Sequence, residues 1–210
     1  VPKKLLVYAS HFREDMEDAR GFGWTVAEPE FSWKSLIASK NAEISRLEGI
    51  YERLLENAKV TTLRGRATLL DPHTIDLAGR RISAKYILVA TGGWPVKPDI
   101  PGIDHAITSN EAFELQEMPK RVLVVGGGYI AVEFAGIFHG LGAKVTLSYR
   151  GEQILRGFDD DVRGHLSGEL RKKGIHIRLR NDVTSIARNA GGTLSVSMRE
   201  SGSEEEEQFD

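Results

Sequence analysis

The N-terminal part of the chain has apolar residues at helical spacing. This spacing predicts two amphipathic helices, one that begins at Pro2 and ends before Gly21-Phe22-Gly23, and one from about Ser32 to Asn57. We expect the second helix to bury one apolar face. That face is formed by Leu36, Ile37, Ile44, Leu47, Tyr51, Leu54 and Leu55.

After the second helix the spacing becomes β-like. It favours short strands with turns at Asp71-Pro72 and Ala78-Gly79. The predicted strands are residues 60–63, 67–70, 74–77 and 86–89. Pro95, Pro98 and Pro101 then mark a connecting segment, and we expect a domain boundary near residues 117–121.

The C-terminal half predicts strands that alternate with helices. Residues 122–125 are a continuous apolar run, typical of a strand buried in a parallel sheet. The other predicted elements are helices 129–141 and 160–173, strands 144–149 and 175–179, and a strand at 194–198 that completes a further βα/β region. This order predicts an α/β fold with a Rossmann-like domain. We expect the acidic run 201–207 to be a solvated loop, and Phe209 suggests that a strand begins after it.

Composition narrows the functional classes. With 40% hydrophobic and 28% charged residues, the chain has the balance of a soluble globular protein. The net charge of −2 argues against a nucleic-acid partner. No apolar run approaches the roughly 20 residues of a membrane span, and no signal-peptide pattern is present. We therefore expect a cytoplasmic protein with no membrane partner. The lack of cysteine excludes thiolate metal sites and cysteine nucleophiles within these residues, and we expect no bound metal.

A glycine-rich turn follows the apolar run 122–125. Gly126-Gly127-Gly128-Tyr129-Ile130-Ala131 fits the pattern G-x-G-x-x-[G/A] of dinucleotide-binding units. Gly126 permits the tight turn, Gly128 lets the backbone approach a pyrophosphate, and Ala131 lets the helix pack closely on the strand. The unpaired amides at the helix start then bind the pyrophosphate. A purely structural glycine turn is the alternative, but the flanking strands favour nucleotide binding.

Two arginines follow the second predicted strand of this unit. NAD-binding units carry an acidic residue roughly 20 positions after the first glycine, where it binds the ribose hydroxyls. This chain has Arg150 there and Arg156 six residues later. Guanidinium groups suit the 2′-phosphate of NADPH, which a carboxylate would repel. The two arginines therefore predict NADPH rather than NADH, although two ordinary surface arginines remain the alternative.

At these residues the sequence resembles the pyridine nucleotide–disulfide oxidoreductase family, and within it the glutathione reductase branch. Residues 128–136 resemble that branch's NADPH-binding helix, and Tyr149-Arg150 with 154–159 resembles its phosphate-binding loop. Ala90-Thr91-Gly92-Gly93 is similar to the segment that links the FAD and NADPH domains. Val1-Pro2-Lys3-Lys4 is similar to the residues directly after the family's redox-active disulfide.

The resemblance implies roles for three residues near the nicotinamide. Lys3 should lie beside the reactive flavin nitrogen and pair with Glu133, and Tyr129 should cover the nicotinamide pocket as a movable lid. Tyr129 and Glu133 are four residues apart and so share one helical face. Without the resemblance, Glu133 would merely favour the helix dipole and Lys3 would be a solvated surface lysine.

The resemblance also implies contacts in the first half of the chain. Gly65 and Ala67 should contact the adenine of FAD, Thr91 and Gly92 should lie on the flavin, and Tyr51 should contact glutathione. For Tyr51, its place on the apolar stripe leaves core packing as an equal alternative.

For the whole protein, the resemblance implies a homodimeric enzyme that uses NADPH, FAD and a redox disulfide to reduce glutathione disulfide. Residues 1–117 would then be part of an FAD-binding domain, and 118–210 an NADPH-binding domain incomplete at its C-terminal end. Because both redox cysteines, the FAD glycine motifs and the dimerisation domain are missing from these residues, we expect a piece of a longer enzyme, inactive by itself.

Three alternatives to this assignment carry different expectations. A trypanothione-type reductase should carry an insertion near residues 140–144, where this chain has a short link. A dihydrolipoamide dehydrogenase should carry an acid in place of Arg150. A non-catalytic NADPH-binding module belongs to a different functional class.

Overall fold

The computed structural model describes residues 1–200 and 202–210, so Ser201 of the acidic run lies outside the described residues. Contacts divide the chain into two compact units, one of Val1–Ile44 with Lys97–Asp210 and one of Ser45–Val96. This packing differs from the boundary expected near residues 117–121, because the first 44 residues pack with the C-terminal part. The assignment of FAD- and NADPH-binding domains concerns ligands, and it stays a prediction.

Five helices and nine strands are formed within the described ranges. The helices are α1 (Pro2–Gly21), α2 (Trp33–Asn57), α3 (Ser109–Ala112), α4 (Tyr129–Gly140) and α5 (Asp160–Lys172). The strands are β1 (Ala67–Asp71), β2 (Thr74–Leu77), β3 (Arg80–Ser83), β4 (Arg121–Val125), β5 (Lys144–Tyr149), β6 (His176–Leu179), β7 (Asn181–Arg188), β8 (Leu194–Glu200) and β9 (Ser203–Phe209). The predicted α/β class is confirmed. No helix in residues 1–200 and 202–210 has the length and apolar content needed to cross a membrane.

The smaller unit, Ser45–Val96, holds the antiparallel sheet β1-β2-β3. Turns are present where they were predicted between its strands. Two predicted strands are wrong, since residues 60–63 and 86–89 form none, and β3 was missed. A short apolar run becomes a strand only where a partner pairs with it, and β3 is paired with β2 across the tight turn at Ala78-Gly79.

The apolar face predicted for α2 is only partly buried. Leu36 and Ile37 pack against the core of the larger unit. Tyr51 is 63% exposed, and Leu54 and Leu55 are exposed as well, so the prediction of one buried face is wrong for the end of this helix. Amphipathic spacing shows which face of a helix is apolar, but not whether another element covers it.

The larger unit is built on a parallel sheet in the order β4-β5-β6. The predicted strands and helices of this region agree with the structure to within two residues at each end. Helix α4 buries four side chains and β5 buries a continuous run, as expected for a strand covered on both faces. The buried apolar residues of these two elements are Phe134, Ala135, Ile137, Phe138, Val145 and Leu147.

Helix α1 and the start of α2 complete this core. Leu6 of α1 is fully buried. The Trp33 ring stacks on Phe138 with centroids 6.3 Å apart, and its indole N–H donates to Leu115 O at 2.8 Å. Lys40 is buried, and its ammonium pairs with the Glu114 carboxylate at 2.8 Å. The hydrogen bond from Lys40 holds the pKa of Glu114 below its usual 4.5.

Strands β7, β8 and β9 form an antiparallel meander. The expected βα/β region around residues 194–198 is therefore wrong, because β8 pairs with strands on both sides. The acidic run is also not a loop, since Ser203–Phe209 is β9. Its glutamates are stabilised by residues of other strands: Glu205 pairs with Arg178 of β6 in the parallel sheet, and Glu204 accepts a hydrogen bond from the Thr184 hydroxyl of β7 at 2.9 Å.

Candidate functional site

The glycine turn connects β4 to α4. Gly126 has φ of 139°, which favours glycine, and its N–H donates to Ser148 O of β5 at 2.8 Å. A Cβ at Gly126 would lie 3.3 Å from the Ala131 Cβ, so the helix does pass close to the turn. A Cβ at Gly128 would meet no protein atom within 4 Å. The space over the N-terminus of α4 is therefore open, and no side chain caps its amides.

A cavity of about 640 Å³ opens beside this turn. It is lined by Gly127, Gly128, Tyr149, Arg150, Gly151, Arg156 and Asp182. Arg150 and Arg156 are exposed, and neither guanidinium bonds to another side chain or carbonyl of the described residues. Two unpaired guanidinium groups beside free helix amides form an arrangement suited to a phosphorylated nucleotide.

The loop that carries both arginines, residues 150–158, is joined to the glycine turn. The ring of Tyr149 lies between Gly127 and Gly151, and a Cβ at Gly127 would come within 2.5 Å of it. The Leu155 N–H donates to Gly127 O at 2.6 Å, while Ile154 and Leu155 are buried in the core. The position of the arginines relative to the turn is therefore set by packing and by a backbone hydrogen bond.

A second group of residues lies at the start of α1 and α4. The Lys3 ammonium forms an ion pair with the Glu133 carboxylate, and it lies 4.7 Å from the centroid of the Tyr129 ring. Glu133 and Tyr129 share one face of α4, as their spacing predicts. Tyr129 is 57% exposed, so its ring has room to move. The structure thus brings together the three residues that the resemblance connects.

Comparison with known proteins gives the family of the chain. The family model described as pyridine nucleotide-disulphide oxidoreductase matches residues 1–210. The chain belongs to this family. Among curated relatives, the glutathione reductase of Burkholderia cepacia is 52% identical over 198 residues, which cover 94% of this chain and 44% of the relative.

Other relatives extend the same likeness. The chloroplastic/mitochondrial glutathione reductase of Pisum sativum is 47% identical over 93% of this chain and 36% of its own length. The trypanothione reductase of Leishmania donovani is 39% identical over 98% of this chain and 45% of its own length. The chain therefore spans less than half the length of these relatives.

Membership of the pyridine nucleotide-disulphide oxidoreductase family, with these relatives, implies FAD and NADPH as cofactors. The residues around the glycine turn fit a dinucleotide. The open space over Gly128 is what a close approach of pyrophosphate needs, and a side chain there would fill it. The arginines at the cavity are compatible with the additional phosphate that distinguishes NADPH from NADH.

The remaining predicted site residues lie in the smaller unit. Gly65 has φ of 148°, and the Leu77 side chain lies where its Cβ would be. Ala67 begins β1, and both residues are exposed. Thr91 and Gly92 are exposed in a segment without regular structure. The exposure of Tyr51 shows that its alternative role in core packing is wrong, while a contact with glutathione stays a prediction.

Sequence reasoning missed two residues that line the cavity and one residue that contacts its loop from outside. Asp182, at the start of β7, lines the cavity together with Arg150 and Arg156. Gly151 leaves space for the Tyr149 ring, whereas the sequence pattern indicated only its neighbour Arg150. Arg163 of α5 donates to carbonyl groups of the arginine loop. The position of Arg163 four residues after the N-cap Asp159 places its side chain over the first turn of the helix, but does not show which carbonyl groups it contacts.

Proposed function

We propose that this chain is part of a flavoprotein that uses NADPH to reduce glutathione disulfide to glutathione. Residues 118–210 bind NADPH, and residues 1–117 contribute part of the FAD-binding domain. The proposal is supported by relatives named glutathione reductase, which are 45–52% identical to the chain. As a full-length protein it acts as a cytoplasmic homodimer.

The arrangement of Arg150 and Arg156 carries this proposal. Both guanidinium groups line the cavity at the glycine turn and have no protein partner in the described part of the chain. A phosphate dianion on the adenosine ribose would receive charge-assisted hydrogen bonds from them, each worth roughly 1.5–3 kcal/mol. The pyrophosphate is bound by Gly126, Gly127 and Gly128 together with the backbone at Ile130 and Ala131.

Lys3, Glu133 and Tyr129 serve the other end of NADPH. FAD, when bound, would supply the two-electron redox chemistry between NADPH and a disulfide. The Glu133 carboxylate holds the Lys3 ammonium in place, and the cation favours negative charge on a neighbouring electron acceptor. The exposed Tyr129 ring covers the nicotinamide pocket and moves aside when the nucleotide enters.

The proposal also assigns roles to residues of the smaller unit. Gly65 and Ala67 contact the adenine of FAD through their backbone, and Thr91 and Gly92 contact the flavin. Tyr51 contacts glutathione, for which its exposed ring is available.

A trypanothione-type reductase is the second candidate. Its relatives are less similar, at 39% and 41% identity. The alignment with the Leishmania donovani enzyme runs over 221 positions, more than the 210 residues of this chain, so that enzyme carries additional residues. This difference favours the glutathione-specific assignment. Rates with the two disulfides, measured on the full-length protein, distinguish the candidates, and a non-catalytic module would reduce neither.

The coenzyme assignment is tested by titration calorimetry of the full-length protein with NADPH and NADH. We expect NADPH to bind at least about tenfold more tightly, a difference of about 1.4 kcal/mol. Arg150→Glu should weaken NADPH binding far more than NADH binding. Arg188→Glu, an equal charge change on an exposed residue of β7 outside the cavity, is the matched control. Equal affinities in the wild type would refute the coenzyme assignment.

A further inference from the structure

The loop at residues 150–158 contains a strained residue directly before one of the cavity arginines. Leu155 has φ of 56°, a left-handed conformation that is costly for a bulky residue. Such a conformation persists only where the surroundings impose it. Arg156 is the next residue, so the direction of its side chain depends on Leu155 keeping this conformation.

Two contacts with the core of the larger unit and the glycine turn hold Leu155 in this left-handed conformation. The Leu155 side chain is buried, and the Leu155 N–H donates to Gly127 O at 2.6 Å. These contacts fix the loop on the glycine turn, but they leave the preceding carbonyl groups at residues 153 and 154 to be satisfied. A buried carbonyl without a donor would favour another path for the chain.

Arg163 satisfies both of these carbonyl groups. Its Nε donates to Ile154 O at 2.8 Å, and its Nη2 donates to Gln153 O at 3.2 Å. Its Nη1 pairs with Asp160, which directs the guanidinium plane toward the loop. The side chain is only 17% exposed. Among the described residues, no other side chain donates to a carbonyl of this loop.

We propose that Arg163 is a positioning residue for coenzyme selection, which holds the strained 153–155 segment so that Arg156 faces the phosphate of the nucleotide. Arg163 does not line the cavity and acts through the loop. The inference rests on the proposed use of NADPH. It goes further in assigning part of the coenzyme preference to a residue outside the binding cavity.

The position of Arg163 predicts a specific kinetic signature. Loss of its two hydrogen bonds releases the loop that carries Arg156, but it leaves the glycine turn and the Lys3–Glu133 pair in place. The Michaelis constant for NADPH should therefore rise by at least about tenfold, while kcat changes less than about twofold. The Michaelis constant for NADH should change less than about threefold, because NADH lacks the 2′-phosphate that Arg156 would bind.

The experiment measures steady-state kinetics of the full-length protein with NADPH and NADH for Arg163→Ala, Arg163→Gln and Arg163→Lys. Lysine keeps the charge but not the paired donors, so it should restore only part of the NADPH affinity. Arg171→Ala is the matched control on the same helix, because Arg171 also bonds a side chain and a carbonyl, those of Ser167 and Ile177. Its Michaelis constants should stay near the wild-type values.

The outcomes separate the two proposals. If the wild type does not prefer NADPH, the proposed coenzyme is wrong. If the wild type prefers NADPH and the folded Arg163 variants keep that preference, the positioning role alone is wrong. Equal loss with both nucleotides, or the same loss in Arg171→Ala, would also overturn the positioning role. Should Arg163→Ala fail to fold, the ratio of the Michaelis constants for NADPH and NADH in Arg163→Gln and Arg163→Lys decides the question.

Discussion

Replacing Gly127 with alanine places a methyl group against the ring of Tyr149. The new Cβ would lie 2.5 Å from ring atoms Cδ1 and Cγ, closer than real Cβ contacts occur. The ring has little room to move, because Gly151 also lies close to it: a Cβ at that position would lie 2.4 Å from ring atom Cε1. The variant therefore has to shift either Tyr149 or the glycine turn itself.

The cost of this shift can be bounded. Inserting a methyl group into a packed site destabilises a protein by about 1–3 kcal/mol. Alanine also reduces the conformational freedom of the unfolded chain. This effect stabilises the folded protein by about 0.4–1 kcal/mol where the native backbone suits alanine, as it does at Gly127, which has no positive φ. We expect a net loss of up to about 2.6 kcal/mol in the free energy of unfolding.

Urea unfolding of the purified chain measures this loss, and Gly128→Ala is the matched control. A Cβ at Gly128 meets no protein atom, so this variant should unfold at the wild-type urea concentration or higher. It should nevertheless bind NADPH more weakly, because the methyl group occupies the space needed by the pyrophosphate. In a Tyr149→Leu background, Gly127→Ala should cost less than in the wild type. Equal stability of the two alanine variants, or an unchanged cost without the Tyr149 ring, would refute the reasoning.

Two further predictions concern the buried ion pair between Lys40 and Glu114. Glu114→Ala leaves the Lys40 ammonium buried without its carboxylate partner, so it should lower the free energy of unfolding, measured in urea, by about 1–3 kcal/mol. Lys40→Met should cost less, because the carboxylate that it leaves unpaired reaches solvent. Lys40→Met proving the more damaging would contradict this asymmetry. The Lys40 hydrogen bond lowers the pKa of Glu114 below 4.5. The ionised Glu114 carboxylate therefore contributes to stability above pH 4.5, and this contribution is lost as the pH falls through the lowered pKa. The gap in unfolding free energy between wild type and Glu114→Gln should therefore narrow from pH 6 toward about pH 3, and a gap that stayed constant would argue against it.

The parallel-sheet region could be predicted from sequence because its signals are local. The run 122–125, the glycine turn and the stop at Gly142 each determine a neighbouring element within a few residues. The meander could not be predicted in the same way. β9 contains four consecutive glutamates, and their repulsion is offset by Arg199 of the neighbouring strand β8 and by Arg178 of β6, which pairs with Glu205. Arg178 is distant in sequence and belongs to the parallel sheet.

The residues of the candidate site also differ in whether local sequence spacing identifies them. Positions counted along one strand–turn–helix unit, such as Gly128, Arg150 and Arg156, could be identified from spacing, and the structure places them at one cavity. Asp182 could not, because it reaches the cavity through a strand whose start depends on the left-handed turn at Arg180. Arg163 was also missed, because a charged residue on an amphipathic helix carries no sign of which carbonyl groups it will meet.

The acidic strand β9 has a consequence for how this protein behaves at high concentration. Among the described residues, β9 is at the edge of its sheet, and the outer edge of such a strand offers unpaired backbone groups to any other strand. When two molecules approach by these edges, their glutamate rows face each other, and the like charges oppose pairing at neutral pH. Substitution of its glutamates by glutamine would remove this barrier. The charges that made this segment difficult to recognise as a strand therefore also keep the strand from recruiting another copy of itself.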